Sequence, residues 1–123
     1  MKKHVVLVED DSVHAFIGER LLKKTGKVEK YTHCTNGKEL YDLLLSLGDD
    51  LPDLILLDIN MPIWDGWQYL QARAEFPSWI SIPTYIVSSS TDWADRDKAV
   101  SFGLGSQYII KPLTSDKVAP LFN

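Results

Sequence analysis

Carboxylates stand directly after two short apolar runs in this chain. Val5-Val6-Leu7-Val8 leads into Glu9-Asp10-Asp11, and Leu54-Ile55-Leu56-Leu57 leads into Asp58, with Asn60 two residues on. Two further runs end in other polar groups: Pro83-Thr84-Tyr85-Ile86-Val87 in the hydroxyl of Ser88, and Tyr108-Ile109-Ile110 in Lys111-Pro112. If the four runs lie side by side in one direction, the acids, the hydroxyl and the ammonium share one edge. Three or more carboxylates gathered together repel one another, which raises their pKa values or demands a cation. A hard divalent ion such as Mg²⁺ answers that demand, because it takes one or two carboxylates, a carbonyl and several waters and leaves positions for phosphate oxygens. A metal flanked by a lysine and a hydroxyl suits phosphoryl transfer. The two cations neutralise the equatorial oxygens, the hydroxyl donates a hydrogen bond, and an aspartate serves as nucleophile. Asp58 is the candidate nucleophile.

The elements that must position these groups follow from the pattern around them. Four consecutive apolar residues at 54–57, entered by Pro52-Asp53 and left by Met61-Pro62, are too short for a lone helix and suit a strand buried on both faces of a parallel sheet. The carboxyl edge of such a sheet is where open α/β folds gather their ligands. From Ser12 the period becomes helical, with Val13, Phe16, Ile17 and Leu21 as the expected inner face, Asp11 or Ser12 as cap and Gly26 as stop. Val28 to Thr35 is β-rich but mixed with Glu29, Lys30 and His33, as on an edge strand. Asn36-Gly37 turns into a helix carrying Leu40, Leu43, Leu44 and Leu47, which Gly48 ends. Trp67, Leu70 and Ala74 mark the expected inner face of a third helix stopped by Pro77. A fourth runs from about Trp93 to Phe102, and a short last one starts at Thr114 or Ser115 and meets Pro120. Five strands alternating with helices predict a parallel sheet covered on both faces, with right-handed crossovers.

Composition narrows the classes. A chain of 123 residues supports one hydrophobic core, so residues 1–123 are expected to form one domain without an output domain. Its 45% hydrophobic and 24% charged residues are ordinary for a soluble globular protein, and no window approaches the roughly 18 consecutive apolar residues of a membrane span. Met1-Lys2-Lys3-His4 runs straight into a strand-like segment and leaves no room for a secretory signal, so a cytoplasmic location is expected. The single cysteine, Cys34, makes neither an internal disulfide nor a metal site and reads as a small, half-buried strand residue. A formal net charge of −4 without a basic run argues against nucleic acid and against an anionic membrane surface.

Taken together, Val8-Glu9-Asp10-Asp11, Leu57-Asp58-Ile59-Asn60-Met61-Pro62, Asp65-Gly66, Val87-Ser88-Ser89 and Lys111-Pro112 make the chain resemble the receiver domain of two-component response regulators, of the single-domain, chemotaxis-regulator type. The resemblance runs from Val5 to about Lys117. It implies a flavodoxin-like, doubly wound sheet of strand order 2-1-3-4-5. It also implies that Glu9 and Asp10 are metal-binding acids, Asp10 the more direct ligand and Glu9 acting through water, and that Asn60 offers its main-chain carbonyl to Mg²⁺. Asp58 would be the phosphoacceptor, Ser88 the switch hydroxyl, Tyr108 the aromatic switch, and Lys111 the phosphate-binding lysine ahead of a cis proline. The implied partners are a histidine kinase or histidine phosphotransfer protein, and a separate protein that reads the surface of the fourth helix and fifth strand. The last helix departs from the family pattern in being short, which leaves a monomer or weak dimer as the expectation.

Plain structural readings stand beside these roles. Asp11 is wanted as a helix cap more than as a ligand, Ser88 alone is an ordinary strand end, Tyr108 fits a core aromatic, and Lys111 fits a solvated lysine. Trp64 and Trp93 fall on expected loops beside the site, where exposed aromatics mark contact surfaces. Among rival functions, a Mg²⁺-dependent aspartyl-phosphate hydrolase of the haloacid dehalogenase type carries a second aspartate two residues after its nucleophile; here that position is Asn60. A degenerate receiver used only for binding would have lost the acid pair, the acceptor or the lysine, and all are present. Flavin binding needs a phosphate-cradling loop where Glu9-Asp10-Asp11 stand. The chain is therefore expected to be a phosphoacceptor and not an enzyme.

Overall fold

The apolar runs become strands, and the computed structural model describes them within residues 3–122; Met1, Lys2 and Asn123 lie outside the described residues. The strands β1 (Lys3–Val8), β2 (Val28–Cys34), β3 (Leu54–Asp58), β4 (Thr84–Ser88) and β5 (Tyr108–Ile110) pair in parallel in the order β2-β1-β3-β4-β5. Register brings their carboxyl ends level: Val8 sits beside Leu57, Asp58 beside Val87, and Ser88 beside Ile110. All five residues of β3 are buried, as its unbroken apolar run requires.

The helices are α1 (Ser12–Lys24), α2 (Gly37–Leu47), α3 (Gly66–Ala72), α4 (Pro77–Ile80), α5 (Trp93–Ser101) and α6 (Ser115–Val118). Alternate strand residues face opposite sides of the sheet. Val6, Val8, Ile55, Leu57 and Ile86 pack with Leu40 and Leu44 of α2, Tyr69 and Leu70 of α3, and Ala99 of α5. Val5, Leu7, Leu54, Leu56 and Val87 pack with Ala15 and Leu22 of α1 and Val118 of α6. Each fully buried aliphatic side chain contributes about 1.5–3 kcal/mol by leaving water, so these two layers fix the sheet whose edge carries the acids.

Several expectations are corrected. On α1, Val13, Phe16 and Ile17 are exposed, at 63%, 59% and 45%, while Ala15, Gly18 and Leu22 are buried. Small residues face the sheet because the helix comes close: a Cβ on Gly18 would lie 2.8 Å from Leu7 Cδ2. The third helix ends at Ala72 and runs into a 3₁₀ turn that leaves Ala74 exposed, with Tyr69 and Leu70 as its buried pair. Pro77 opens α4 instead of closing α3, occupying the first helical turn where its missing N–H costs nothing. Cys34 is fully buried, not half-buried, and burial pushes its thiol up to about 12. Trp64 is partly covered, with its ring 5.3 Å from that of Tyr41. Trp93 is 81% exposed and is the first residue of α5, as the helix expected from about that position requires, and not part of a loop.

One close approach positions the site directly. The segment after β3 folds back so that the Gly66 N–H donates to the Ile59 carbonyl at 3.2 Å, and Asp65 caps α3 through the N–H of Gln68. A Cβ on Gly66 would lie 2.6 Å from the carbonyl oxygen of Asp58 and 2.9 Å from Ile59 Cα.

Candidate functional site

Four of the expected site residues converge. Glu9 at the end of β1 and Asp58 at the end of β3 are both nearly buried, at 4% and 5% exposure, and Asp10 is exposed beside them. One carboxylate oxygen from each of the three lies within 4.8 Å of the others. Lys111, arriving from β5, donates through Nζ to Glu9 Oε1 at 2.6 Å and to Asp58 Oδ2 at 3.2 Å. The remaining Asp58 oxygen, Oδ1, accepts the N–H of Asn60 at 3.2 Å. The peptide bond between Lys111 and Pro112 is cis. Asp11 is a cap, accepting the N–H groups of Val13 and His14 at 2.9 Å each.

Ser88 is fully buried, and its Oγ accepts the N–H of Ser90 at 3.0 Å. Tyr108 is half-buried and donates its hydroxyl to the Ser90 carbonyl at 3.0 Å, with the Arg96 guanidinium 5.1 Å above its ring. The hydroxyl on β4 and the ring on β5 therefore grip the same residue, Ser90, from its two sides.

Burial pushes the Glu9 carboxyl up to about 7, and the facing Asp58 carboxylate adds to that push against the pull of Lys111. Burial lowers the Lys111 ammonium, yet its bonds to Glu9 and the charge of Asp58 outweigh that and hold it above the usual lysine value. Two histidines that sequence reasoning did not single out border the site. His33 Nε2 lies 2.7 Å from the Glu9 carbonyl oxygen, and His14 Nδ1 is 3.8 Å from Glu9 Oε1. Only the pairing of β2 with β1, which sets Leu7 beside His33, signals the first of these. An open cavity of about 340 Å³ adjoins the acids, walled on its apolar side by Leu7, Ile17, Val87, Pro112 and Leu113.

The donor set fits Mg²⁺. Hard carboxylate oxygens from three residues come almost within the roughly 4 Å that separates opposite ligands of one octahedral ion. The charge they concentrate is only partly met by Lys111. Metal-free protein should then lose stability as pH rises from about 4.5 to 7. A carboxyl whose pKa is raised by folding holds its proton longer in the folded state, so the stabilisation that proton gives is complete below the unfolded value and gone above the folded one. Glu9→Gln should flatten that decline, and millimolar Mg²⁺ should raise the melting temperature most at the high end of the range, where Glu9 is ionised. Melting curves from pH 4.5 to 8, with and without the ion, check this; equal slopes for wild type and variant would refute it.

The sequence profile of the response regulator receiver domain matches residues 5–122. The chain belongs to that family. Among curated relatives, the sensor histidine kinase CheAY of Helicobacter pylori is 31% identical over 91% of this chain, which spans 13% of that protein. The probable methanogenesis regulatory protein FilR2 of Methanothrix harundinacea is 31% identical over 89% of the chain, which spans 72% of it. Among solved structures, a two-component response regulator from Cytophaga hutchinsonii superimposes with a TM-score of 0.88 at 28% identity, covering 99% of this chain and 96% of that one. The five-stranded order β2-β1-β3-β4-β5 is the flavodoxin-like order expected of a receiver. Receiver domains generally bind Mg²⁺ and take part in two-component signalling with phosphodonors, and the acid cluster of this receiver is a place for such an ion. No helix among the described residues is long and apolar enough to cross a membrane.

Proposed function

We propose that this receiver accepts a phosphoryl group on Asp58 from a histidine kinase, a histidine phosphotransfer protein or a small acyl phosphate, and that the phosphorylated form presents a changed surface to a partner. The observation that carries this is the placement of Asp58: nearly buried, level with Glu9 and Asp10, and 3.2 Å from the Lys111 ammonium. A carboxylate oxygen of Asp58 attacks phosphorus, the bond from phosphorus to the donor nitrogen or acyl oxygen breaks, and the donor leaves with that electron pair. Glu9, Asp10, Asp58 and the Asn60 carbonyl would hold Mg²⁺, which would supply positive charge to the phosphoryl oxygens. Lys111 pairs with one oxygen, exchanging carboxylate partners for a phosphoryl one of greater charge. The Asn60 N–H keeps the other Asp58 oxygen in place. With Asn60 where a hydrolase carries its acid–base aspartate, the aspartyl phosphate persists as a signal and the chain is a phosphoacceptor, not a turnover enzyme.

The phosphoryl group brings roughly −1.5 to −2 charge and three acceptor oxygens. The Ser88 hydroxyl then has a stronger acceptor than its present surroundings, and turning toward it releases the Ser90 N–H that it now holds. Tyr108 grips Ser90 by its carbonyl, so the 89–92 loop, the ring and the start of α5 shift together. The exposed Trp93 at that start lies on the surface a partner reads.

Intact-mass measurement with acetyl phosphate tests the acceptance step: one phosphoryl group is expected with Mg²⁺ and none with a chelator, and no addition in either case would overturn the reading. Amide exchange with and without beryllofluoride tests the switch. Residues 88–102 and Tyr108 are expected to change with the site. A response confined to Asp58 and its neighbours would mean that another face carries the signal. A pull-down under the same two conditions then identifies the partner.

A further inference from the structure

Lys111 can meet a phosphoryl group only if its main chain is held where the side chain reaches the acids, and β5 is the shortest strand of the sheet, ending at Ile110 just before it. Its own N–H donates to the Ser88 carbonyl at 2.9 Å. The carbonyls on either side have no strand partner, and both are taken by one side chain. Lys117 Nζ donates to the Ile110 carbonyl at 2.6 Å and to the Pro112 carbonyl at 3.0 Å. Lys117 is itself firmly placed. Its N–H is bonded within the Thr114 cap of α6, and the next residue, Val118, is fully buried against the sheet.

We infer that Lys117 is a positioning residue for the phosphate-binding lysine, its ammonium tying together the main-chain carbonyls that bracket Lys111. The inference rests on the reading of Lys111 given above. A lysine side chain is long and rotamer-rich, and its ammonium is strongly hydrated, so its tip is only as well placed as its base. A misplacement of about 1 Å at a reacting group can cost on the order of a hundredfold in rate. A charged donor is also the strong kind of partner for a carbonyl, so removing it loosens both flanks of Lys111 at once. Lys117 touches none of the acids: Glu9, Asp10 and Asp58 stand on or just beyond β1 and β3 and are held by those strands. It therefore acts on the phosphoryl half of the site and not on the metal half.

The test compares two affinities in the same protein. In Lys117→Met, which keeps the aliphatic stem, binding of beryllofluoride and the rate of labelling by acetyl phosphate should each fall about tenfold, while the Mg²⁺ affinity read from tryptophan fluorescence stays within about twofold of wild type. Lys117→Arg, which can still bond both carbonyls, should recover most of the loss. In a Lys111→Ala background, Lys117→Met should weaken beryllofluoride binding no further, because one residue acts through the other. Unchanged beryllofluoride binding in Lys117→Met, a parallel loss of Mg²⁺ affinity, or additive losses in the double variant would overturn the inference. Failure of the wild-type receiver to bind beryllofluoride at all would instead overturn the phosphoacceptor reading, so the two failures are told apart within one experiment.

Discussion

Asp58→Asn is expected to take up no phosphoryl group from acetyl phosphate under conditions that label the wild type. The substitution keeps the shape of the side chain and turns the carboxylate into a neutral, non-nucleophilic amide; losing a nucleophile elsewhere costs on the order of 10⁶ in turnover, so labelling should drop below detection. Folding should survive. The neutral amide no longer repels Glu9, whose carboxyl should move back toward its ordinary range, because the Asp58 carboxylate is among the causes of its elevation. Lys111 keeps Glu9 as its closer partner at 2.6 Å. Intact mass checks the loss of labelling and a melting curve checks the fold. Labelling that persists in a folded Asp58→Asn protein would move the acceptor to another carboxylate, which peptide mapping would locate.

Gly66→Ala is expected to damage stability and phosphorylation together. The added methyl would sit 2.6 Å from the carbonyl oxygen of Asp58 and 2.9 Å from Ile59 Cα, and both obstacles are main chain, which cannot swing aside as a side-chain tip does. Either the turn into α3 opens, losing the Gly66 N–H bond to Ile59, or the end of β3 shifts and carries Asp58 away from Lys111. Overpacking of this kind costs roughly 1–3 kcal/mol, and loss of the turn adds to it. Gly26→Ala is the control. It has positive φ but open space around it, so it should cost only the roughly 1–2 kcal/mol of left-handed strain and leave labelling intact. A Gly66→Ala protein that melts no lower than Gly26→Ala and labels normally would refute the argument.

The strands and the gathering of Glu9, Asp10, Asp58 and Lys111 were legible from the chain pattern, whereas the strand order was legible only through the family resemblance. Unbroken apolar runs this short suit strands inside a covered parallel sheet, and a parallel sheet sends every strand end to one edge. What misled was hydropathy taken without size. On α1 the apolar residues Val13, Phe16 and Ile17 lie outward, and the sheet is met by Leu22 and by Ala15 and Gly18, whose smallness is what lets the helix approach. The stop assigned to Pro77 failed because proline is as much at home in a first turn as after a last one. The hold of Lys117 on two carbonyls left no pattern at all: a lysine six residues past another has no period, and only the path of the chain after β5 brings its ammonium back.

The sheet order also sets a schedule for synthesis. A chain emerging from the ribosome can pair β1, β2 and β3 once Asp58 and the residues just after it are out, because those three strands are adjacent in space and come first in sequence. The acids are then in place without the lysine that pairs with two of them. Lys111 lies 102 positions beyond Glu9 and 53 beyond Asp58, just after the strand at the far border, which can join only after β4 has docked. Until Lys111 is made and β5 docks, the nascent protein holds a like-charged edge that favours staying open, and the residue just after β5 supplies the ammonium that closes it. Ribosome-bound chains halted with Lys111 still inside the exit tunnel should accordingly be more sensitive to protease than chains halted after an added linker that carries Lys111 clear of it, and Lys111→Ala should narrow that difference.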